Sequence, residues 1–329
     1  ACASDPSPAG SVPRTSGAAP NGINRSHAFA HCRNRRHEDM AGRSLTRAGI
    51  TTLLAILVAS FVASEPGYYA HETVAGDYLK RIDVGGRRRE FLLHLPSKYD
   101  PSRRVPLVLV FHGSSASASV IERETSFDDI ADSLGFIVAY PEGLHRGWNI
   151  GECCRYSFKE HVDEIAFVRA LMTHLERGLA VDSTRVYATG YSDGGTLSML
   201  LACSLPDRIA AIGTVSGTLF DPLPSCDIPR AVPVVVIHGT GDTHIPYAGQ
   251  RGVRASVRAQ HAMLSAPEVT QFWVQHDDCA QPPRSSRAGR VLRLQYDCAD
   301  SSRVIFYTIQ GGEHGWPGGG RGWIFSPRP

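Results

Sequence analysis

The chain has 329 residues, 42% of them hydrophobic, 8% aromatic and 20% charged. That is globular chemistry, and it excludes a disordered, collagen-like or coiled-coil protein. Lys and Arg number 34 against 32 Asp and Glu, a formal charge of +2, which offers no electrostatic footprint for a nucleic-acid partner. No apolar run reaches the roughly 18 to 20 residues that span a bilayer, which excludes an integral membrane protein.

Residues 1–39 are rich in Ala, Ser, Pro, Gly and Arg, without apolar periodicity. They are expected to be a non-native or disordered extension ahead of Met40. Arg43 and Arg47 then precede the apolar run ITTLLAILVASFVA, which ends at Val62-Ala63-Ser64. A positive flank, a short apolar core and small residues at its end make 40–64 a signal peptide. The remainder, 65–329, is long enough for one α/β domain with a single core. No Cys follows the run, so a lipid anchor is not expected. Six cysteines lie in the exported part: Cys153, Cys154, Cys203, Cys226, Cys279 and Cys298. An even count in an exported chain points to disulfides. Cys279 and Cys298 bracket a Pro/Ser/Arg-rich loop and are expected to pair. The other four allow three connectivities, of which the one joining the neighbours Cys153 and Cys154 is the least favoured. Within the exported part neither a CxxC pair nor a His-x₃-His element is present, so no metal site is expected there.

Along the exported part, 78–84 and 89–95 are expected to be strands joined across Gly85-Gly86. LVLVFHG, 107–113, is a continuous apolar run closed by Gly, the pattern of a strand buried on both faces. A helix is predicted over 119–134, a buried strand over 136–140 and a long loop over 141–160. An amphipathic helix over 162–179, a strand over 185–191 and a helical segment to about Leu205 follow. Strands are predicted at 210–215 and 232–238, a helix over 256–276, and strands at 291–296 and 304–309. Strands alternating with helices predict a mainly parallel sheet covered on both faces, with its site at the carboxyl ends of the strands.

Gly190-Tyr-Ser192-Asp-Gly194 follows the strand RVYATGY directly and precedes a helix. Strand, sharp turn and helix are what a G-x-S-x-G elbow requires, and they hold the serine hydroxyl exposed on a tight turn. A hydroxyl needs a base, and the base an orienting carboxylate. Behind such an elbow the order is Ser, acid, His. The strand VVVIHGTGD ends in Asp242, and VIFYTIQ runs into GGEHGWPGG, which puts His314 on a Gly-rich loop at the same edge. Ser192, Asp242 and His314 are therefore the candidate nucleophile, orienter and general base. His238 and His244 are read as structural. The oxyanion donors are expected to be the backbone N–H groups of Asp193 and Ser114, with His112 holding the loop that carries Ser114.

VLVFHG, GFIVAYPEG, GWNIGECC, VDEIAFVRAL, RVYATGYSDGG, VVVIHGTGD-x-x-IPY and GGEHGWPGG, in that order, resemble the secreted esterases that include polyhydroxybutyrate depolymerase-like and feruloyl or acetylxylan esterase-like enzymes. The resemblance spans about 78–320. It implies an α/β-hydrolase fold and a Ser-Asp-His triad on Ser192, Asp242 and His314, with no cofactor. It also implies that Trp148 and Asn149 lie near the cleft and that Trp316 forms an aromatic wall beside His314. Asp193 stands where the family usually has Asn, and Glu313 where it often has Gly. The family continues past WPGG into a final helix, so the end at Pro329 is expected to be a truncation. No module for gripping a polymer granule is visible, which favours a small-ester or plant-wall-ester substrate. The expected protein is a secreted or periplasmic monomer acting on a small or polymeric ester. A peptidase of the same fold and an inactive wall- or polymer-binding protein are the alternatives.

Overall fold

The computed structural model describes residues 74–151, 156–226, 228–250 and 262–319. The expected extension and signal peptide lie outside them, as do Cys153, Cys154 and the chain end after residue 319.

Gly85 and Gly86 take left-handed conformations (φ 58° and 73°) that close β1 (Gly76–Val84) and β2 (Arg87–Leu95) into an antiparallel hairpin. β3 (Val105–Phe111) is the predicted apolar strand. The helix expected over 119–134 is two helices, Ala118–Thr125 and Phe127–Leu134. They break at Ser126, a left-handed residue (φ 51°) that ends one and starts the other. The break lets Ala118 and Ile121 of one helix and Ala131 of the other be buried together, where a single straight helix would present one continuous stripe.

β4 (Ile137–Pro141) is buried along its whole length. The loop after it holds a 3₁₀ turn, Leu144–Arg146, and the four-residue helix Tyr156–Lys159. The helix Glu164–Gly178 starts at Asp163, whose side chain accepts from the Ala166 N–H at 2.8 Å. β5 (Val181–Tyr191) leads into the helix Asp193–Ser204. β6 (Ala211–Val215), the two-residue β7 (Phe220–Asp221) and β8 (Val234–Gly239) follow. β9 (Ala262–Met263) pairs with β7. The helix expected from 256 begins instead at Ala266. Ser265 and Glu268 form a reciprocal capping box there, which satisfies two N–H groups that a helix start leaves without partners. Residues 256–261 lie outside the described residues.

β10 (Arg284–Ala288), β11 (Val291–Asp297) and β12 (Arg303–Ile309) complete the fold. β10 falls in the segment expected to be a loop. All five of its residues are exposed, so its backbone ladder to β11 forms it, with no apolar alternation to announce it.

The main sheet has ten strands in the order β1-β2-β4-β3-β5-β6-β8-β12-β11-β10. The six from β4 to β12 run parallel. Antiparallel pairings join the hairpin strands to either side. The core lies between sheet and helices, with Leu107, Leu109, Phe167, Leu171, Leu197 and Trp273 wholly enclosed. Arg89 and Glu164 are buried in it as an ion pair of 2.8 Å, and the guanidinium lies 3.6 Å from the Phe167 ring. Breaking such a pair strands a charge out of water, so it fixes β2 against the helix Glu164–Gly178. No helix among the described residues is long and apolar enough to cross a membrane.

Cys279 pairs with Cys298 as expected. Cys203 pairs with Cys226, which corrects the ranking of connectivities: this bridge belongs to the arrangement rated lowest. Spacing carries no sign that the end of the elbow helix, at Cys203, meets the loop carrying Cys226.

Candidate active site

β5 ends at the elbow. Ser192 has φ 55° and ψ −121°, a conformation that costs a side-chain-bearing residue about 1–3 kcal/mol. The surroundings hold it: the Ser192 N–H donates to the Val215 carbonyl at 2.9 Å, and the Thr196 N–H donates to the Ser192 carbonyl at 3.0 Å. A Cβ on Gly190 would collide with the Gly194 carbonyl, and one on Gly194 with the carbonyls of Phe111 and His112. The two glycines of the motif are thus the condition for β5, the elbow helix and the end of β3 to meet this closely.

Asp242 and His314 come from neighbouring parallel strands, β8 and β12, whose following loops are tied together. The Thr240 N–H donates to Ile309, the Gly241 N–H to Gly312 at 2.8 Å, and the Gly311 N–H to the Thr240 hydroxyl at 2.8 Å. The result is a hydrogen-bonded line. Ser192 Oγ lies 3.1 Å from His314 Nε2, and His314 Nδ1 lies 2.7 Å from Asp242 Oδ2. All three side chains are more than nine-tenths buried.

Asp242 Oδ1 accepts the N–H groups of His244 and Ile245, each at 2.9 Å. Burial alone would raise this carboxyl. Hydrogen bonds from His238 and His314, the charge of His314 and the Ile245 N–H outweigh it and hold Asp242 well below the usual carboxylate range. An ionised acid at Nδ1 fixes the proton on that nitrogen and leaves Nε2 to accept from the serine. Such an arrangement can draw a proton off a hydroxyl as it attacks a carbonyl carbon.

The other histidines support the frame. His238 Nε2 donates to the Ile245 carbonyl at 2.8 Å and lies 3.3 Å from Asp242 Oδ2. His112 donates through Nδ1 to the Gly113 carbonyl at 2.7 Å and accepts the Gly143 N–H at Nε2. Burial pushes its imidazole down to about 4, so both bonds are made by the neutral ring. His112 therefore holds the 113–114 loop against the loop after β4. A Cβ on Gly113 would stand 3.3 Å from Ser192 Cβ, so Gly113 lies against the elbow. Asp193 opens the elbow helix, half-buried.

Trp148 is not at a cleft surface. It is 1% exposed, edge-on to Phe111 at 5.5 Å, and its Nε1–H donates to the His112 carbonyl at 2.8 Å. Its indole is spent on the core and on the strand end that carries His112, which corrects the substrate role expected for it. Asn149 is also committed. Its amide donates to the Val162 carbonyl at 3.0 Å and accepts the Gly151 N–H, while its own N–H faces Glu164 Oε1 at 3.3 Å. Trp316 is half-buried beside Phe127, ring centroids 6.2 Å apart. The buried Arg89–Glu164 pair, which braces this loop through Asn149, went unnoticed in the sequence; its only trace was a charged residue at an inward position of each element. Among the described residues one group could hold a metal ion: Asp77, His94 and Asp128, with ligand atoms within 4.8 Å of one another. They belong to β1, β2 and the helix Phe127–Leu134, not to the elbow.

A parallel sheet with a strained serine at its central strand–helix turn defines an α/β-hydrolase. The family model described as Esterase PHB depolymerase matches residues 90–235. A putative esterase, NocK, from Nocardia uniformis subsp. tsuyamanensis is 29% identical, covering 73% of this chain and 74% of its own. Feruloyl esterase B of Piromyces equi is 27% identical over 72% of this chain, which spans only 44% of that protein. Among solved structures, an acetyl xylan esterase from Aspergillus awamori superposes with a TM-score of 0.53 at 15% identity, covering 73% of this chain and 95% of that one. The chain is a carboxylic-ester hydrolase, similar to the polyhydroxybutyrate depolymerase-like and feruloyl esterases.

Proposed function

We propose that this protein is a secreted, monomeric serine esterase. Ser192 attacks the ester carbonyl, and His314 takes its proton and returns it to the leaving alkoxide. Asp242 keeps the imidazole in the required tautomer, and the N–H groups of Asp193 and Ser114 receive the oxyanion. Water then frees the acyl group by the same route in reverse. The observation that carries this reading is the hydrogen-bonded line from Ser192 through His314 to Asp242, at 3.1 and 2.7 Å. Export is supported by the apolar segment within 40–64 and by two disulfides.

The substrate reading is an acetyl or feruloyl ester of plant-wall polysaccharide, with polyhydroxybutyrate-type oligoesters as the second class. The names of the relatives support it, as does the family model. Ser192→Ala is expected to lower nitrophenyl-acetate hydrolysis by several orders of magnitude with the fold intact, and to abolish fluorophosphonate labelling. Normal turnover by that variant overturns the assignment. A panel of acetyl, feruloyl and 3-hydroxybutyryl esters, run beside peptide substrates, ranks the acyl groups. Preferential peptide cleavage overturns the esterase reading.

A further inference from the structure

The two edge strands of the main sheet carry different patterns of charge. β1 sets Asp77 and Asp83 against Lys80 and Arg81. At the other edge, the stretch from Cys279 to Tyr296 holds Arg284, Arg287, Arg290 and Arg293 and no acidic residue. Charge on an edge strand prevents pairing with another sheet, and β1 achieves that with balanced signs. A single sign on β10 and β11 needs a further reason, since the whole chain carries only +2. Two of the four arginines are spent. Arg284 makes a two-pronged pair with Asp297, both bonds 2.8 Å. Arg293 donates to the Tyr307 hydroxyl at 3.2 Å and to the Gln295 side chain. Arg287 and Arg290 are exposed and make no side-chain hydrogen bond or ion pair among the described residues.

Both belong to the catalytic edge of the sheet. Ala288 pairs with Val291 and closes the turn that holds Gly289 and Arg290. Val291 lies opposite Ile309 at the end of β12, and Ile309 lies opposite Gly239 at the end of β8. The Gln310 N–H, at the start of the loop that carries His314, donates to the Arg290 carbonyl at 2.8 Å. The turn is therefore fixed to the same rim as Asp242 and His314. From β5, which ends at the elbow, to β11 there are four strand spacings, roughly 20 Å at about 4.8 Å each. A small ester cannot reach across that distance, whereas a chain of sugars can. A guanidinium meets a carboxylate through two parallel bonds. Glu313, exposed on the His314 loop, has the opposite sign, so acidic groups belong at the arginine end of such a chain and not beside the ester.

We infer that the β10–β11 turn is a distal substrate subsite, in which Arg287 and Arg290 bind carboxylates of an acidic polysaccharide whose ester group lies at Ser192. No bond at the arginines forms or breaks. The subsite adds affinity for the polymer far from the reacting carbonyl, so it lowers KM and leaves kcat alone. This deepens the esterase reading above and rests on it.

The test is the double variant Arg287→Gln/Arg290→Gln, assayed on partly acetylated polygalacturonate, partly acetylated neutral xylan and nitrophenyl acetate. On the acidic polymer KM is expected to rise about 5- to 30-fold, the effect of losing two exposed charge-assisted pairs, with kcat unchanged. The neutral polymer and the nitrophenyl ester end short of the arginines or offer them no charge, and their kcat/KM should stay within about twofold. The melting temperature should hold, since neither side chain has a bond to lose. In 1 M salt, where screening acts within about 3 Å, wild type and variant should converge on the acidic polymer. Electrophoresis through gels containing unesterified polygalacturonate reads binding without catalysis: the wild type should be retarded and the double variant should run freely. A double variant equal to the wild type on the acidic polymer overturns the inference alone, as does equal loss on both polymers, or retardation by duplex DNA as strong as by polygalacturonate. A wild type that is retarded through these arginines but hydrolyses none of the three esters supports the anion subsite and sinks the esterase reading instead.

Discussion

The imidazole of His244 lies stacked on that of His314, ring centroids 5.0 Å apart and planes within 19° of parallel. Tyr191 lies 4.9 Å from the same ring at 43°. Two aromatic neighbours restrict the rotation that hydrogen bonds at Nδ1 and Nε2 alone would leave available. His244 is exposed, and its backbone N–H also serves Asp242 Oδ1, so one residue steadies both partners of the relay.

Replacing this ring should cost positioning and little else. His244→Ala is expected to lower kcat/KM about 5- to 20-fold, mostly in kcat, since a slight misplacement of a catalytic group is expensive. His244→Phe keeps a stacked ring and should retain most of the rate. Steady-state kinetics on a nitrophenyl ester checks both. Equal losses in the two variants would mean that the imidazole's chemistry, not its stacking, matters.

Asp242 is sensitive to a change of one atom. Its Oδ2 accepts from His314 Nδ1 while Oδ1 accepts two backbone N–H groups. An Asn that keeps its carbonyl on the backbone pair presents NH₂ to His314, which turns the imidazole to the tautomer with its proton on Nε2. Asp242→Asn should therefore lower kcat by about 10³–10⁴ with little change in shape, the effect seen when a triad acid becomes an amide. A comparison of kcat, KM and circular dichroism tests this; a loss below tenfold would mean that another group orients the ring.

Much of this was legible because sequence patterns report backbone demands. Gly190 and Gly194 are required by close approaches to carbonyls, and strand ends before Asp242 and His314 are visible as apolar runs meeting glycine. Hidden features depend on partners far along the chain. Trp148 in a Gly-flanked polar stretch looks exposed, yet its indole reaches back to His112. β10 has no buried residue, so periodicity could not reveal it. The Cys203–Cys226 bridge follows from where a helix end meets a loop, which spacing does not encode. The break at Ser126 arises because two short apolar faces, not one stripe, cover the sheet.

The burial of Trp148 makes its own prediction. Trp148→Phe keeps a ring against Phe111 but removes the donor to the buried His112 carbonyl. An unsatisfied buried acceptor costs about 1–3 kcal/mol. Thermal unfolding should show that loss, and kcat should fall about 3- to 10-fold as the loop carrying Ser114 loosens, with KM little changed. A selective rise in KM with stability intact would return Trp148 to substrate contact.

A second titrating cluster, away from the elbow, should make stability fall as pH rises. His94 on β2 lies 2.6 Å from Asp77 on β1 and 3.3 Å from Asp132 on the helix Phe127–Leu134, with Asp128 at 4.0 Å. Burial opposes its charge, but the hydrogen bond to Asp77 and the nearby carboxylates of Asp128 and Asp132 raise its pKa above 6.5. A raised histidine contributes fully below the unfolded value, and the contribution is lost as pH climbs through the folded one. Glu122 faces the same group. Burial first, then the charges of Asp128 and Asp77, push it from 4.5 up to about 7. Folded Glu122 thus binds a proton where the unfolded chain has released it, and stability declines between 4.5 and 7. Asp242, held low, stays ionised over this range. Both groups therefore act in one direction, and the melting temperature should drop about 2–4 °C between pH 5 and pH 8. Glu122→Gln cannot ionise: it should match the wild type at pH 5, exceed it at pH 8 and leave a shallower slope from His94. His94→Asn should lower the melting temperature at pH 5 and remove most of that remaining slope. Calorimetry at the two pH values decides the matter: a Gln variant that follows the wild-type curve at both would show that Glu122 is ordinarily solvated and does not sense its neighbours.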